Sequence, residues 1–338
     1  MPAATRANSE PIGTPPQATP SPLRRRGLDW AIGGLLLAGL LVWVQASIGW
    51  PQLLAPWQDV QHLTLAGLVM LGALSYFLRA VRAYDYLHEC VAGRFLTMLR
   101  VSTLHNVANN LLPMRLGEAA FPLLLWRHFG LRVTDSTLTL VWIRVLDLHV
   151  LGIIAGIALI LGTSGSAVAV LILLGWVAAL PVGLRLLPLL AHRWPAGGWG
   201  GRLLGAATRA SPPWNMRLAR LYLWTTLIWG TKFLAFGTIT AHFLDAPPAA
   251  VIGGVVGAEL SSVLPFHGVA GAGTYEAAMV AALYPLGIAP ADALKAAVNL
   301  HLFLLGLTVL LGVAALAIPA GPRRDATAPS VARGPPDD

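Results

Sequence analysis

The chain has 338 residues, of which 56% are hydrophobic and only 11% charged, and its formal net charge is +8. A soluble domain carries roughly 25% charged residues, and several apolar runs here exceed the roughly 20 residues that cross a bilayer, so composition excludes a soluble globular protein and predicts a polytopic membrane protein. The single cysteine, Cys90, excludes an internal disulfide, a zinc cluster and a CxxC redox motif, and the basic residues flank apolar runs in the manner of a membrane protein, which argues against a nucleic-acid partner.

Residues 1–27 are rich in Pro, Ala, Ser and Thr and end on Arg24, Arg25 and Arg26. They are expected to form a disordered basic cytoplasmic tail. The apolar run Ala31 to Trp50 follows, and Val44 with Ala46 mimics a signal cleavage site. The run is longer than a signal h-region and more spans come after it, which predicts an uncleaved anchor. Six full spans are predicted over about residues 29–49, 61–83, 134–162, 167–190, 218–244 and 290–318. Two further apolar stretches, 96–129 and 247–287, are each interrupted by Pro and Gly near the middle. Each is either a pair of short spans or a re-entrant hairpin.

The arginines set the expected topology. Arg79, Arg82, Arg94 and Arg100 are read at or after the end of the second span, Arg127 and Arg132 after the first broken element, and a further cluster falls in the loop 191–217. The opposite loops, 50–60, 163–166, 245–250 and 287–291, contain no Lys or Arg. This asymmetry predicts both termini in the cytoplasm, with a second short tail over 319–338. The membrane domain, 28–318, divides near Ser164 into halves 28–163 and 164–318. Each half reads as three spans plus one broken or re-entrant element, and an odd number of crossings inverts the second half relative to the first. The predicted fold class is therefore an all-α polytopic membrane protein with an inverted repeat; two convergent Pro/Gly kinks in an ordinary bundle remain the alternative.

The two breaks carry near-matching segments. The first runs from Leu111 and Leu112 through Pro113, Met114, Arg115, Leu116 and Gly117 to Glu118-Ala119-Ala120. The second runs from Leu264, Pro265, Phe266, His267 and Gly268 through Gly271, Gly273, Thr274 and Tyr275 to Glu276-Ala277-Ala278. A helix interrupted in hydrocarbon leaves backbone groups unpaired at several kcal/mol each, so breaks persist where protein, water or ligand supplies partners. Ionisable residues at membrane depth are candidates for function. Here they are Arg115, Glu118, Arg144 and Asp147 in the first half and Lys232, Glu259, Glu276 and Lys295 in the second. The expected pairings are Glu118 with Arg144, Arg144 with Asp147 three residues on, and Lys232 with Glu259 or Glu276. Such pairs either bind substrate or merely hold helices together. His105, Asn106 and Asn109 can share one helix face ahead of the first break, Asn110 follows them, and His267 at the second break is a candidate proton carrier. His301 is expected to be structural. Gly152-x-x-x-Gly156 and Gly253-x-x-x-Gly257 predict close helix packing.

No HExxH, GxSxG or Walker motif is present. Together with internal loops of at most about 27 residues, this predicts no catalytic residues, no metal or cofactor and no enzymatic activity.

The run Asn110 to Glu118, the span element Arg144-x-x-Asp147 and the second element Pro265 through Gly271, Gly273 and Glu276 together resemble the flippase-like membrane domain of lysylphosphatidylglycerol synthases, including its standalone YbhN-like members. The resemblance covers roughly residues 28–318. Met114 departs from a common glycine, and His267-Gly268-Val269 departs from a common Pro-Gly-Gly. The soluble domain that joins the amino acid to the lipid has no counterpart in the sequence, so lysyl-phosphatidylglycerol synthesis is not expected. The resemblance implies movement of a lipid or lipid-linked glycan between leaflets of an inner or plasma membrane. In that reading a headgroup enters between the broken elements. Arg115 and Lys232 hold its phosphate or carboxylate, and Glu118 and Glu276 take an amine, a sugar hydroxyl or a coupling proton. An accessory subunit of an envelope glycolipid pathway, or a lipid-modifying enzyme with Glu118 or His267 as base, are the alternatives.

Overall fold

The computed structural model describes residues 22–162, 165–193, 198–212, 214–262 and 268–320; the side chains of residues 22–33, Met114, Arg115 and Trp199 fall outside the description. Most of both expected tails also lies outside it. The described residues form helices and short 3₁₀ turns, with no strand among them. In chain order the helices are α1 (Pro22–Ser47), α2 (Trp50–Leu54), α3 (His62–Tyr86), α4 (His88–Val91), α5 (Phe95–Leu111), α6 (Ala120–Phe129), α7 (Val133–Gly162), α8 (Ala167–Arg193), α9 (Trp199–Ala210), α10 (Met216–Phe243), α11 (Pro248–Ser261), α12 (Thr274–Leu283) and α13 (Pro290–Ala317). Helix α1 starts at Pro22 rather than at residue 28. A proline in the first helical turn loses no hydrogen bond and has its φ already set.

Helices α3, α7, α8 and α13 are each long and apolar enough to cross a membrane. Two bent pairs bring the total among the described residues to as many as six if each pair is counted as one span. In the first, α1 turns by 91° into the α2 segment at Gly49, whose φ of 84° suits glycine. The expected loop 50–60 is thus mostly helical. In the second, α10 and α11 meet at 113° across Leu244 to Pro247, where two consecutive prolines, Pro247 and Pro248, cannot continue α10.

The two interrupted stretches form helical hairpins. Helix α5 ends at Leu111, and Leu112, ahead of Pro113, is extended with ψ 137°. A 3₁₀ segment, Pro113–Ala119, then leads into α6, which packs back on α5 and ends on the left-handed Gly130. In the second stretch α11 packs on α12, and the short 3₁₀ turn Val269–Gly271 precedes α12. The arms have 17, 10, 14 and 10 residues, each short of the roughly 20 that cross a bilayer. The two break segments touch each other, and both touch α1. Pro265 and His267 lie outside the described residues.

Apolar burial between helices gains little where the solvent is lipid, so close packing and internal hydrogen bonds hold such a bundle. The main core joins Leu151 of α7, Phe236 and Ile239 of α10, Val255 of α11, Met279 and Leu283 of α12 and Leu300 of α13. Small residues let the backbones approach. A Cβ on Gly152 would sit 2.2 Å from the Trp176 ring nitrogen, and one on Gly156 would sit 2.8 Å from Leu173, so the first small-residue pair seats α7 on α8. Of the second pair, Gly257 lies hard against Ala282 and Ala278 of α12, whereas Gly253 has only ordinary contact. At the first break a Cβ on Gly117 would lie 2.3 Å from the Asn109 backbone. Backbone cannot move aside as a flexible side chain does. Gly117→Ala is therefore expected to destabilise the purified protein by about 1–3 kcal/mol, read as a lowered Tm in detergent. Gly67→Ala, in open space on α3, is expected to leave the Tm unchanged or slightly raised.

Candidate functional site

Helices α3, α5, α7, α10 and α13 and the two hairpins enclose a cavity of about 710 Å³. Its polar wall contains Tyr76 and Arg79 of α3, Asn106, Asn109 and Asn110 of α5, Glu118, Arg144 and Asp147 of the first half, and Lys232, Glu259, Gly271, Tyr275 and His301 of the second. Its remaining wall is apolar and includes Leu123 of α6 and Val141, Val145 and Leu148 of α7. These four side chains are also exposed on the outer surface of the bundle. The cavity therefore opens sideways along α6 and α7.

One chain of ion pairs and hydrogen bonds runs behind and into this cavity. Asp147 Oδ1 accepts from Arg82 Nη1 at 2.6 Å and from Trp229 Nε1 at 3.1 Å, and its Oδ2 accepts from Arg82 Nη2 at 3.3 Å and Arg144 Nη1 at 3.4 Å. Arg82 also donates to Thr225 at 2.9 Å. Arg82 and Asp147 are 3% and 4% exposed. Arg144 continues the chain, donating to Glu118 at 2.9 Å through Nη2 and 3.1 Å through Nε. On the other side Lys232 Nζ meets Glu259 at 2.5 Å, and the Tyr275 hydroxyl donates to the same carboxylate at 3.3 Å. Trp229 joins the two clusters: the Lys232 ammonium lies 5.2 Å and the Arg79 guanidinium 5.9 Å from its ring centroid, within cation–π range.

Glu276 sits one layer behind the cavity at 1% exposure. Its Oε2 accepts from the Gly273 backbone N–H at 2.8 Å, capping the first turn of α12. Its Oε1 is 2.6 Å from His301 Nδ1, while His301 Nε2 is 2.8 Å from the Ala270 carbonyl. A carbonyl only accepts, so Nε2 carries a hydrogen. A single proton then lies between Nδ1 and Oε1, as histidinium–carboxylate or as neutral imidazole and carboxylic acid. Ala270 itself has a positive φ of 54°, a conformation a non-glycine residue holds only where its surroundings impose it.

The expected pairs Glu118–Arg144, Arg144–Asp147 and Lys232–Glu259 are all present. Asp147, however, makes its shortest bond to Arg82 rather than Arg144. Arg79 and Arg82 do not end a span: α3 continues to Tyr86 and carries both inward. That is a correction to the charge count at that membrane face, and the cause is an inward helix face that periodicity alone does not reveal over so few residues. Pro113, Gly117, Gly273 and Glu276 shape the breaks without lining the cavity. His105 does not share the cavity face with Asn106 and Asn109; its Nδ1–H donates to the Gly117 carbonyl at 3.2 Å. Arg115 has its backbone in the first break, but its side chain is not among those described. Arg79, Arg82, Trp229 and His301 were missed as site residues. Their signal was present in α3, where Tyr76, Arg79 and Arg82 follow one another at steps of three. No group of His, Cys, Asp and Glu able to hold a metal occurs among the described residues.

The helices and their apolar surfaces define a polytopic integral membrane protein with a charged, laterally open cavity. The chain belongs to the family described as the lysylphosphatidylglycerol synthase TM region, whose model matches residues 30–312. No curated protein and no solved structure matches it.

Removing one partner from a buried ion pair leaves a bare charge and costs about 3–5 kcal/mol, whereas replacing both by apolar groups is often close to neutral. Asp147→Asn is therefore expected to destabilise strongly. The double variant Arg82→Met with Asp147→Leu is expected to recover most of the loss, measured as Tm against both single variants.

Proposed function

We propose that this protein is a lipid translocator, taking the headgroup of a membrane lipid or lipid-linked glycan into the cavity and passing it between leaflets. The observation that carries this reading is the form of the cavity: a charged interior between two helical hairpins, joined to an apolar mouth on the lipid-facing surface of α6 and α7. Along α7 the wall residues Val133, Thr137, Leu140, Val141, Arg144, Val145 and Leu148 follow the three-and-four spacing of one helix face. The wall continues to Leu151, eighteen residues on from Val133, about 27 Å of helix. A headgroup moves along the charged end of such a groove while its acyl chains stay in lipid.

The two-half packing supports an inverted repeat. Helix α3 packs on α5 as α10 packs on α11, α6 on α7 as α12 on α13, and α5 on α13 as α11 on α7; α3 and α10 pack on each other. Exchange of the halves therefore preserves these neighbour relations. With the lysine- and arginine-free loops outside, both termini lie in the cytoplasm, and an inner or plasma membrane is the setting in this reading. The hairpins then act as re-entrant elements whose tips meet inside the bilayer. Rocking of one half against the other opens the site alternately. The proton held between His301 and Glu276 is the candidate for coupling, since it links the second break to α13. Transport, not chemistry on the lipid, is the proposed activity, with no cofactor and no nucleic acid involved.

The test is reconstitution into vesicles of native lipid extract, with outer-leaflet lipids labelled chemically and the full lipid set read by mass spectrometry. Wild type is expected to make one lipid class accessible from the inner leaflet. Glu118→Gln, which weakens the ion pair to Arg144, and Val141→Trp, which fills the mouth, are each expected to slow this at least about tenfold, the equivalent of about 1.4 kcal/mol. Val313→Trp, on an exposed face of α13 away from the cavity, is expected to match wild type. No lipid movement by wild type, or equal movement by all variants, overturns the reading.

A further inference from the structure

Among the described side chains four cations line the cavity or stand behind it, and three of them are neutralised by protein. Arg82 is held by Asp147, Arg144 by Glu118 and Asp147, and Lys232 by Glu259. Arg79 differs. It lines the cavity and lies within electrostatic reach of Asp147, but among the described residues it makes no ion pair and no hydrogen bond, and its guanidinium sits 5.9 Å from the Trp229 ring centroid. The ring's N–H is already committed to Asp147. Among the described side chains there are thus three guanidiniums for two carboxylates around Asp147 and Glu118. A cation within a membrane span is costly unless paired or hydrated, and arginine, unlike lysine, keeps its charge.

We infer that Arg79 is the anion-binding residue of the cavity, and that its ligand is a phosphate ester. The planar guanidinium fork meets two phosphate oxygens at once, and the Trp229 ring lies against the guanidinium. The phosphate completes the charge balance that the two carboxylates leave open. This inference rests on the cavity taking a lipid headgroup, with the phosphate as the group that joins headgroup to tail; it moves the anion-holding role from Lys232, which Glu259 occupies, to Arg79.

Binding is measured on the purified full chain in neutral detergent by native mass spectrometry, independently of transport. The probes are short-chain phosphatidylglycerol, diacylglycerol of the same chain length, a diacyl trimethylammonium lipid, and free glycerol 3-phosphate. Wild type is expected to bind phosphatidylglycerol at least about tenfold more tightly than the neutral or cationic lipid, the scale of one charge-assisted hydrogen-bonded contact. Arg79→Gln is expected to abolish that preference, Arg79→Lys to keep part of it, and Arg220→Gln, at an exposed ion pair with Asp85, to keep all of it. Equal binding of the three lipids by wild type overturns the inference without need of any variant, and so does an unchanged preference in a folded Arg79→Gln. Arg79-dependent binding of glycerol 3-phosphate as tight as that of the lipid supports the anion site while assigning it to a soluble phosphate. Arg79-dependent lipid binding without transport supports the site and removes the translocator reading; transport with Arg79-independent binding does the reverse.

Discussion

The structure depends on one requirement: charge placed inside a membrane bundle must be answered by charge. Asp147 meets it for three helices at once. Arg82 reaches it from α3 and Trp229 from α10, while Asp147 itself stands on α7. The pair sits at the junction of the halves, where α3 and α10 pack together. A bidentate guanidinium–carboxylate contact has a defined geometry, so it fixes register as well as proximity: a one-residue slip of α3 would rotate Arg82 away by about 100°. Apolar packing in lipid has no comparable preference for one register over another. The network's first effect is to position these helices, and the cavity is what remains between them.

The same logic extends from side chains to the backbone of the breaks. Two interruptions in hydrocarbon would leave amides and carbonyls bare, and side chains supply partners for four of them. His105 donates to the Gly117 carbonyl, His301 to the Ala270 carbonyl and Thr274 to the Gly271 carbonyl, and Glu276 accepts from the Gly273 amide. Each break is thus held open by a polar residue whose chemistry is already committed. That explains the coexistence of a left-handed Ala270 with an ordered turn: the α13 imidazole grips its carbonyl from one side, and Gly271 and Gly273, both at positive φ, allow the chain to fold back on the other.

Much of this was legible in the sequence. Apolar length located the spans, Leu112-Pro113 located a break through steric rules, and opposite charges at membrane depth named their own partners. Where the reading failed, the missing quantity was three-dimensional direction. Arg79 and Arg82 look like the basic end of a span because Arg follows an apolar run there. Only the continuation of α3 to Tyr86, and the side of the helix facing α7, turn them into interior residues. Likewise the loop beginning at Trp50 has no Lys or Arg and reads as a connector. Its Leu53 is buried against α1 and α13, and the Asn299 side chain donates to the Leu53 carbonyl at 3.1 Å, so tertiary contact and not local sequence decides that it is helical.

The resemblance between the two breaks also proves less symmetrical in chemistry than in pattern. Glu118 and Glu276 both stand ahead of an Ala-Ala pair, yet Glu118 faces the cavity and answers a cation from another helix, whereas Glu276 is turned back to cap its own helix and holds His301. The cavity-facing carboxylate of the second half is Glu259, one helix earlier, paired with Lys232. An approximate repeat therefore delivers one ion pair from each half, Arg144–Glu118 and Lys232–Glu259, but places the second half's carboxylate on the arm leading into the break instead of the arm leaving it. The consequence is a site with matched charges and unmatched geometry: the Glu259 side carries the Tyr275 hydroxyl and the indole face, and the Glu118 side carries three guanidiniums and the asparagines of α5. A ligand lying between them meets two different environments in a fixed order, which is the condition for telling the two ends of a bound molecule apart.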